Sequence, residues 1–218
     1  MSTTDAGESR AWELLHAAAP AEVCARADVA PDPGGGYRVR SFGMVFRVDP
    51  GKRLIVGLAP EGEALLERHA SLFRLSVLWY LVRAAPPRPS GDLLKPSRLP
   101  GGDIFSRGTH VLPLESLAAK YATRPGAFLA AGAALGGSPV RHGDAAVRLP
   151  ALPKVPTTAI LWTADDEFPA RADLLFDATA PRHLPLDIIW SLAMLSVQLL
   201  QEAAPIPSES LLQEENRG

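Results

Sequence analysis

The stretch that decides the fold is ILWTADDEFPARADLLFD, residues 160–177. Two apolar runs, ILWTA and ADLLFD, flank the consecutive acids Asp165, Asp166 and Glu167. Apolar runs on either side of a short polar segment are typical of paired antiparallel strands. We therefore expect a β-turn-β unit, in which the acids accept hydrogen bonds from turn amides and Phe168 inserts into the core.

Three consecutive acids also allow two chemical interpretations of this turn. A divalent cation needs several oxygens that converge from more than one segment, and Asp177 on the second run would add one to the three acids. A metal-dependent hydrolase or lyase would also need a base, for which His142 and His183 are the candidates. A structural turn, a metal site and acid–base catalysis are thus the three alternatives for this stretch.

The other segments show helical and extended patterns without the regular β-α order of a parallel sheet. Apolar residues spaced by three and four predict helices, and strict alternation around Asp49-Pro50-Gly51-Lys52 predicts a β-hairpin or meander. We therefore predict the α+β class, with small antiparallel β-sheets packed against a long central helix and a buried C-terminal helix. The predicted helices cover residues 9–27, 60–85, 113–121, 125–137 and 185–203, and the extended segments cover 37–57, 144–152, 154–164 and 172–179.

These elements suggest a simple organisation of the chain. We expect an N-terminal helical segment at 1–29, a single α+β domain at 30–203 and a flexible tail at 204–218. Residues 86–112 are rich in proline and glycine and are expected to form a long surface loop.

Composition excludes several classes of protein. The net charge is −2 and the arginines and lysines are scattered, so we expect no nucleic-acid partner. The only cysteine, Cys24, cannot form an internal disulfide or a cysteine-based metal centre, and a lone thiol fits a reducing compartment. The first residues lack a signal-peptide pattern, and the longest apolar runs are too short or too interrupted for a membrane span. We expect a cytoplasmic protein without membrane contact.

Motifs for catalysis or phosphate binding are missing. The glycines at 34–36 precede an extended segment, whereas a phosphate-binding loop follows a strand and opens a helix. The sequence has no Gly-x-Ser-x-Gly elbow, and its five histidines occur singly, outside any zinc-binding pair. These absences favour a binding or accessory protein over an enzyme, and they leave the cofactor unassigned.

Two blocks of the sequence carry a family resemblance. They are LPGGDIFSRGTHVLPLESLAAKY at 99–121 and the segment 135–190, which includes the DEFP motif and its FD partner. With Pro100-Gly101-Gly102, Gly136-Gly137 and Trp162, these motifs resemble the family known as domain of unknown function 3786, over roughly residues 35–203. The resemblance supports the fold and implies no established activity. Relatives fused to cysteine-rich iron–sulfur modules imply a corrinoid or redox-accessory context, although Cys24 alone cannot hold a cluster.

The leading hypothesis is a non-enzymatic domain that binds a small molecule or a protein partner. Its pocket would lie between the C-terminal strands and the 86–112 loop, with an aromatic wall and acidic anchors. A third class of function, a structural protein or homodimer, would show an exposed apolar patch on the final helix. The candidate ligand-binding residues are Gly101, Gly102, His110, Trp162, Asp166 and Glu167.

Overall fold

The structure is a computed structural model that describes residues 3–103 and 111–203. Within these ranges the helices are α1 (Thr3–Ala17), α2 (Pro20–Ala27), α3 (Pro60–Arg83), α4 (Leu114–Tyr121), α5 (Pro125–Ala134), α6 (Ala180–His183) and α7 (Leu186–Glu202). The strands are β1 (Ala30–Pro31), β2 (Tyr37–Ser41), β3 (Met44–Asp49), β4 (Leu54–Gly57), β5 (Leu93–Leu94), β6 (Ser138–Pro139), β7 (Ala145–Leu152), β8 (Val155–Trp162) and β9 (Arg171–Asp177). A single turn of 3-10 helix spans Pro96–Arg98. The predicted tail at 204–218 lies outside the described residues.

The strands form two antiparallel sheets. The first has the order β1-β2-β3-β4 and the second has the order β5-β9-β8-β7-β6. In the second sheet β8 pairs with β9 from Thr157 opposite Phe176 to Trp162 opposite Arg171. The acidic stretch therefore forms the expected β-turn-β unit at the centre of this sheet, and the α+β class is confirmed.

Alternation along β2 explains how the first sheet is oriented. Tyr37, Val39 and Ser41 are buried, whereas Arg38 and Arg40 point to the opposite, exposed face. Successive side chains of a strand point to opposite faces, so the sequence YRVRS separates a core face from an arginine face. We call the face opposite the core the outer face of each sheet.

Two long helices carry much of the apolar core. Helix α3 starts with Pro60 in its first turn, buries Phe73, Val77 and Leu81, and contains a non-helical residue at His69. Helix α7 packs against it and is buried along most of its length. These are the predicted central and C-terminal helices. No helix among the described residues combines the length and apolar character needed to cross a membrane.

The N-terminal helices belong to the same core as the sheets. Trp12 and Leu15 of α1 and Val23 and Ala27 of α2 are buried in the hydrophobic cluster that also contains the strands. Pro20 divides the predicted helix at 9–27 into α1 and α2, because a proline has no amide hydrogen to donate within a helix. Helices α1 and α2 therefore share a hydrophobic core with the sheets.

The two sheets are joined where β2 turns into β3. The amide of Phe42 donates to the carbonyl of Pro150 at 2.8 Å, and Ser41 Oγ donates to the carbonyl of Ala151 at 2.6 Å. Next to these bonds Gly43 and Gly136 meet backbone to backbone, and a Cβ on Gly136 would lie 2.6 Å from Gly43 Cα. Both glycines have a positive φ, so the contact needs glycine for space and for conformation. This junction fixes the outer face of β2 relative to β7.

Candidate functional site

The acidic turn at 163–170 is organised by Asp165. Its Oδ1 accepts hydrogen bonds from the amides of Glu167 at 2.9 Å and Phe168 at 2.7 Å. Its own amide donates to the carbonyl of Phe168 at 3.0 Å. Asp166 and Glu167 are exposed on the same turn. The expectation that acids accept turn hydrogen bonds is thus confirmed for Asp165.

The expectation that Phe168 inserts into the core is wrong, because its side chain is 66% exposed. Strand pairing ends at Trp162 and Arg171, so the residues between them extend beyond the edge of the core. Trp162 is half-buried, and the Arg171 guanidinium stacks over its ring at 4.1 Å from the centroid. A ligand role for Trp162, Asp166 and Glu167 stays a prediction; Trp162 ends β8, and Asp166 and Glu167 are exposed on the turn that follows it.

Asp177 lies at the opposite end of β9 and does not join the other three acids. Asp177 lies six residues along β9 from Arg171, which corresponds to roughly 20 Å. Asp177 is 2% exposed and accepts hydrogen bonds from the amides of Ser90, Gly91 and Thr179. Burial tends to raise the pKa of this carboxyl, but the hydrogen bonds from Thr179, Ser90 and Gly91 lower the pKa to about 2.

The position of Asp177 shows that the predicted metal site of four carboxylates is wrong. Its oxygens are occupied by protein donors, far from the turn that carries Asp165. Across the described part of the chain no group of three or more His, Cys, Asp or Glu residues is arranged to hold a metal ion. The predicted cluster therefore does not form as a convergent site.

The glycine pair of the long loop lies away from the acidic turn. A Cβ on Gly101 would meet Leu186 in the first turn of α7, and one on Gly102 would meet the carbonyl of Pro96. The acidic turn instead contacts the end of α4, where the Ala164 amide donates to Ala122.

Helix α7 separates these two regions. Tyr121, next to Ala122, donates to the carbonyl of Leu200 near the end of α7, whereas Gly101 lies at its start. The distance along the helix is roughly 20 Å at about 1.5 Å per residue. Gly101 and Gly102 therefore lie apart from the acids, His110 lies outside the described residues, and a ligand role for these three residues stays a prediction.

Neither histidine proposed as a base pairs with an acid of the turn among the described residues. His142 is exposed, and its neighbour Asp144 binds the amide and hydroxyl of Thr163 at 2.7 and 2.8 Å. His183 is fully buried and its Nδ1 accepts a hydrogen bond from the Ala85 amide at 3.2 Å. Burial lowers the pKa of His183, and the nearby Lys154 ammonium lowers it further.

A groove of about 1020 Å³ lies between the outer faces of the two sheets. Arg38 and Arg40 come from the exposed face of β2, and Arg148 comes from an exposed position of β7. We call this the cationic groove. The apolar part of its lining consists mainly of Val29, Val45, Leu149, Pro150, Leu152, Pro153 and Pro156.

Two arginines of the cationic groove have no protein partner among the described residues. Arg38 binds Asp32 at 2.7 Å, and the groove's one carboxylate, Asp28, lies 3.6 Å from Arg88. Arg40 and Arg148 make neither a side-chain hydrogen bond nor an ion pair within that part of the chain. The arrangement therefore leaves two guanidinium groups free in one concave surface.

A second groove of about 810 Å³ adjoins the first and is lined mainly by apolar side chains. The two grooves share Arg38, Val45 and Gly136 in their linings. We call the second one the apolar groove. Its other apolar residues include Met44, Leu58, Ala133, Ala134, Leu135 and Leu199.

Sequence reasoning missed both grooves. It recognised the alternation that places Arg38 and Arg40 on one face, but it treated the arginines as scattered. Arg148 is far away in the sequence and reaches the groove only because β2 packs beside the end of β7. The signal that could have indicated the cationic groove is the arginine face of YRVRS. Two neighbouring exposed arginines on one strand repel each other unless an anion or a carboxylate lies nearby.

The fold and these grooves define an α+β protein with two small antiparallel sheets and a cationic groove between them. The chain belongs to the family described as domain of unknown function (DUF3786), whose model matches residues 19–199. This match confirms the resemblance and also includes α2, before the predicted domain start at residue 30. No curated protein and no solved structure matches the chain.

Proposed function

We propose that this protein is a non-enzymatic accessory domain that binds a small anionic molecule in the cationic groove. The single observation that carries the proposal is the pair of arginines, Arg40 and Arg148, that line one groove and have no partner among the described residues. Concave surfaces with a few convergent polar groups are the usual form of small-molecule sites. We propose in addition that the protein acts in the cytoplasm, in the corrinoid or redox-accessory context that the family resemblance implies.

An anion is the ligand class that these side chains recognise. A guanidinium group is planar, stays charged at physiological pH and presents paired donors that match a carboxylate or a phosphate. Arg38 is neutralised by Asp32, so the free charge is concentrated at Arg40 and Arg148. Apolar side chains make up much of the rest of the lining, which reduces competition from water and strengthens hydrogen bonds to charged groups.

Nuclear magnetic resonance of the arginine side chains tests this proposal directly. Inorganic phosphate and butyrate are titrated into the protein while the Nε–H signals of Arg40 and Arg148 are followed. We expect saturable shifts of these two signals with at least one of the anions. The double variant Arg40→Gln with Arg148→Gln should bind at least tenfold more weakly, because hydrogen bonds to charged groups are worth about 1.5–3 kcal/mol.

Arg98→Gln is the matched control, because Arg98 is exposed on the 3-10 turn and lies outside both grooves. The control should bind like the wild type. Equal losses in the control and the double variant would indicate a non-specific charge effect. The absence of saturable shifts with both anions would overturn the proposal.

A further inference from the structure

The apolar groove offers a continuous extension of the cationic groove. Val45 and Gly136 belong to both linings, and the Gly43–Gly136 contact forms part of their shared boundary. Val45 pairs with Arg40 across β2 and β3, so the two side chains are direct neighbours on the outer face. A ligand group bound at Arg40 therefore lies next to the start of the apolar groove.

The apolar groove leaves apolar side chains exposed to solvent. Leu58 is 48% exposed, and Ala133 and Ala134 at the end of α5 are exposed beside it. One exposed leucine on a surface is ordinary, whereas several apolar residues lining one concavity indicate a binding surface. Covering them would remove apolar area from water, which is the main favourable term in binding an apolar chain.

The two grooves differ in charge, and this difference orients a charged ligand. Arg40 and Arg148 carry free positive charge in the cationic groove, whereas Glu61 lines the apolar groove. Arg68 also lines the apolar groove but not the cationic groove, and it is bound to Glu202 at 3.2 Å. An anionic head is attracted toward the arginines and repelled by Glu61, so only an uncharged part of a ligand is accommodated in the apolar groove.

We infer that the ligand is an anionic amphiphile, in which a carboxylate or phosphate head is joined to an unbranched apolar chain. The head binds Arg40 and Arg148, and the chain follows the outer face past Val45 and along Leu58 and Leu135. This inference rests on the proposed function, since it specifies the anion that the cationic groove holds. It adds that the apolar groove contributes affinity in proportion to chain length.

A chain-length series measures that contribution. Dissociation constants are determined by isothermal titration calorimetry for butyrate, hexanoate and octanoate, and for inorganic phosphate and octyl phosphate. In the wild type we expect affinity to rise about three- to fourfold per methylene as the chain enters the groove. Octanol, which has the chain and no charge, should bind at least tenfold more weakly than octanoate. The comparison of octanoate with octyl phosphate identifies the head group.

Two variants test where the apolar chain of the ligand binds. Leu58→Ser removes an exposed apolar wall, and Ala134→Gln places a longer polar side chain on the same groove, at positions that are solvent-exposed and therefore tolerant. Both should weaken octanoate binding about fivefold or more and leave butyrate binding unchanged. Leu54→Ser is the matched control, since Leu54 is 38% exposed on β4 and lines neither groove.

The outcomes separate this inference from the proposed function. If butyrate and octanoate bind equally well and both depend on Arg40 and Arg148, the anion site stands and the amphiphile is excluded. If chain-length dependence survives in Leu58→Ser and Ala134→Gln, or octanol binds as well as octanoate, the inference is overturned. If none of the anions binds, both the proposed function and this inference fail.

Discussion

The turn before strand β9 and the far end of that strand carry carboxylates in opposite surroundings. Asp165, before the strand, is exposed and organises hydrogen bonds only within its own turn. Asp177, at the end of the strand, is buried and accepts amide hydrogen bonds from Ser90 and Gly91, which are far from it in sequence. One carboxylate therefore shapes a local loop, and the other joins the segment after α3 to the second sheet.

This difference shows that the number of neighbouring acids is a poor guide to their importance. The conspicuous series at 165–167 lies in water, where carboxylates are solvated and need no partner. The isolated Asp177 is removed from water and depends on its donors for compensation. Burial and long-range donors, which a sequence pattern does not display, decide which acid the fold requires.

The substitution Asp177→Ala should have the largest effect at this pair of sites. It leaves the part-buried hydrogen bonds from the amides of Ser90 and Gly91 and from the Thr179 hydroxyl without their acceptor. We expect the free energy of unfolding to fall by about 3–4 kcal/mol, measured by urea denaturation. Asp166→Ala, an exposed acid, should change it by less than about 0.5 kcal/mol. Comparable losses in the two variants would contradict the comparison.

Lowering the pH should remove the stabilisation that Asp177 provides at the buried end of β9. The pKa of Asp177, about 2 in the folded protein, lies below the value of about 3.9 for an unfolded chain. A lowered pKa stabilises the folded state above pH 4, and this contribution is lost as the pH falls from about 4 to about 2. We expect a loss of about 1–2 kcal/mol from this group, which allows for screening by solvent.

Asp177→Asn tests the acid effect because its amide keeps one acceptor oxygen and does not ionise. The difference in unfolding free energy between wild type and this variant should shrink as the pH falls from 4 to 2. Contributions from Asp32 and Asp144, whose pKa values are also lowered, are common to both proteins and cancel. A difference that stays constant across this range would show that Asp177 is not the group that titrates.

Local patterns predict the longer elements of the fold, but not the short strands β1, β5 and β6 or the short helix α6. The alternation in 37–57, the prolines at 60 and 125 and the glycines at 136–137 each act within a few residues, so strands, helix starts and a helix end followed from them. Phe168 was misplaced because its exposure depends on where pairing of β8 and β9 stops. That limit is set by the packing of the sheet rather than by the apolar character of the residue.

The candidate site depended on contacts between distant segments, so it could not be predicted. Arg148 meets Arg40 in one groove because the β2–β3 turn docks on Pro150 and Gly136. Lys154 also makes contacts with distant segments, although a lysine between two strands of a hairpin is usually exposed. Its ammonium is buried and donates to the carbonyls of Arg26, Ala85 and Pro86.

The turn before β9 has the smallest of these predicted effects, and its two neighbouring acids, Asp165 and Asp166, can be compared directly. Asp165→Ala removes the acceptor for the amides of Glu167 and Phe168, but water can replace it because the turn is exposed. We expect a loss of about 1 kcal/mol in unfolding free energy, as for other exposed side-chain to backbone caps. Asp166→Ala, one residue further, should show almost none. Equal effects at both positions would mean that charge density, rather than the hydrogen bonds of Asp165, stabilises the turn.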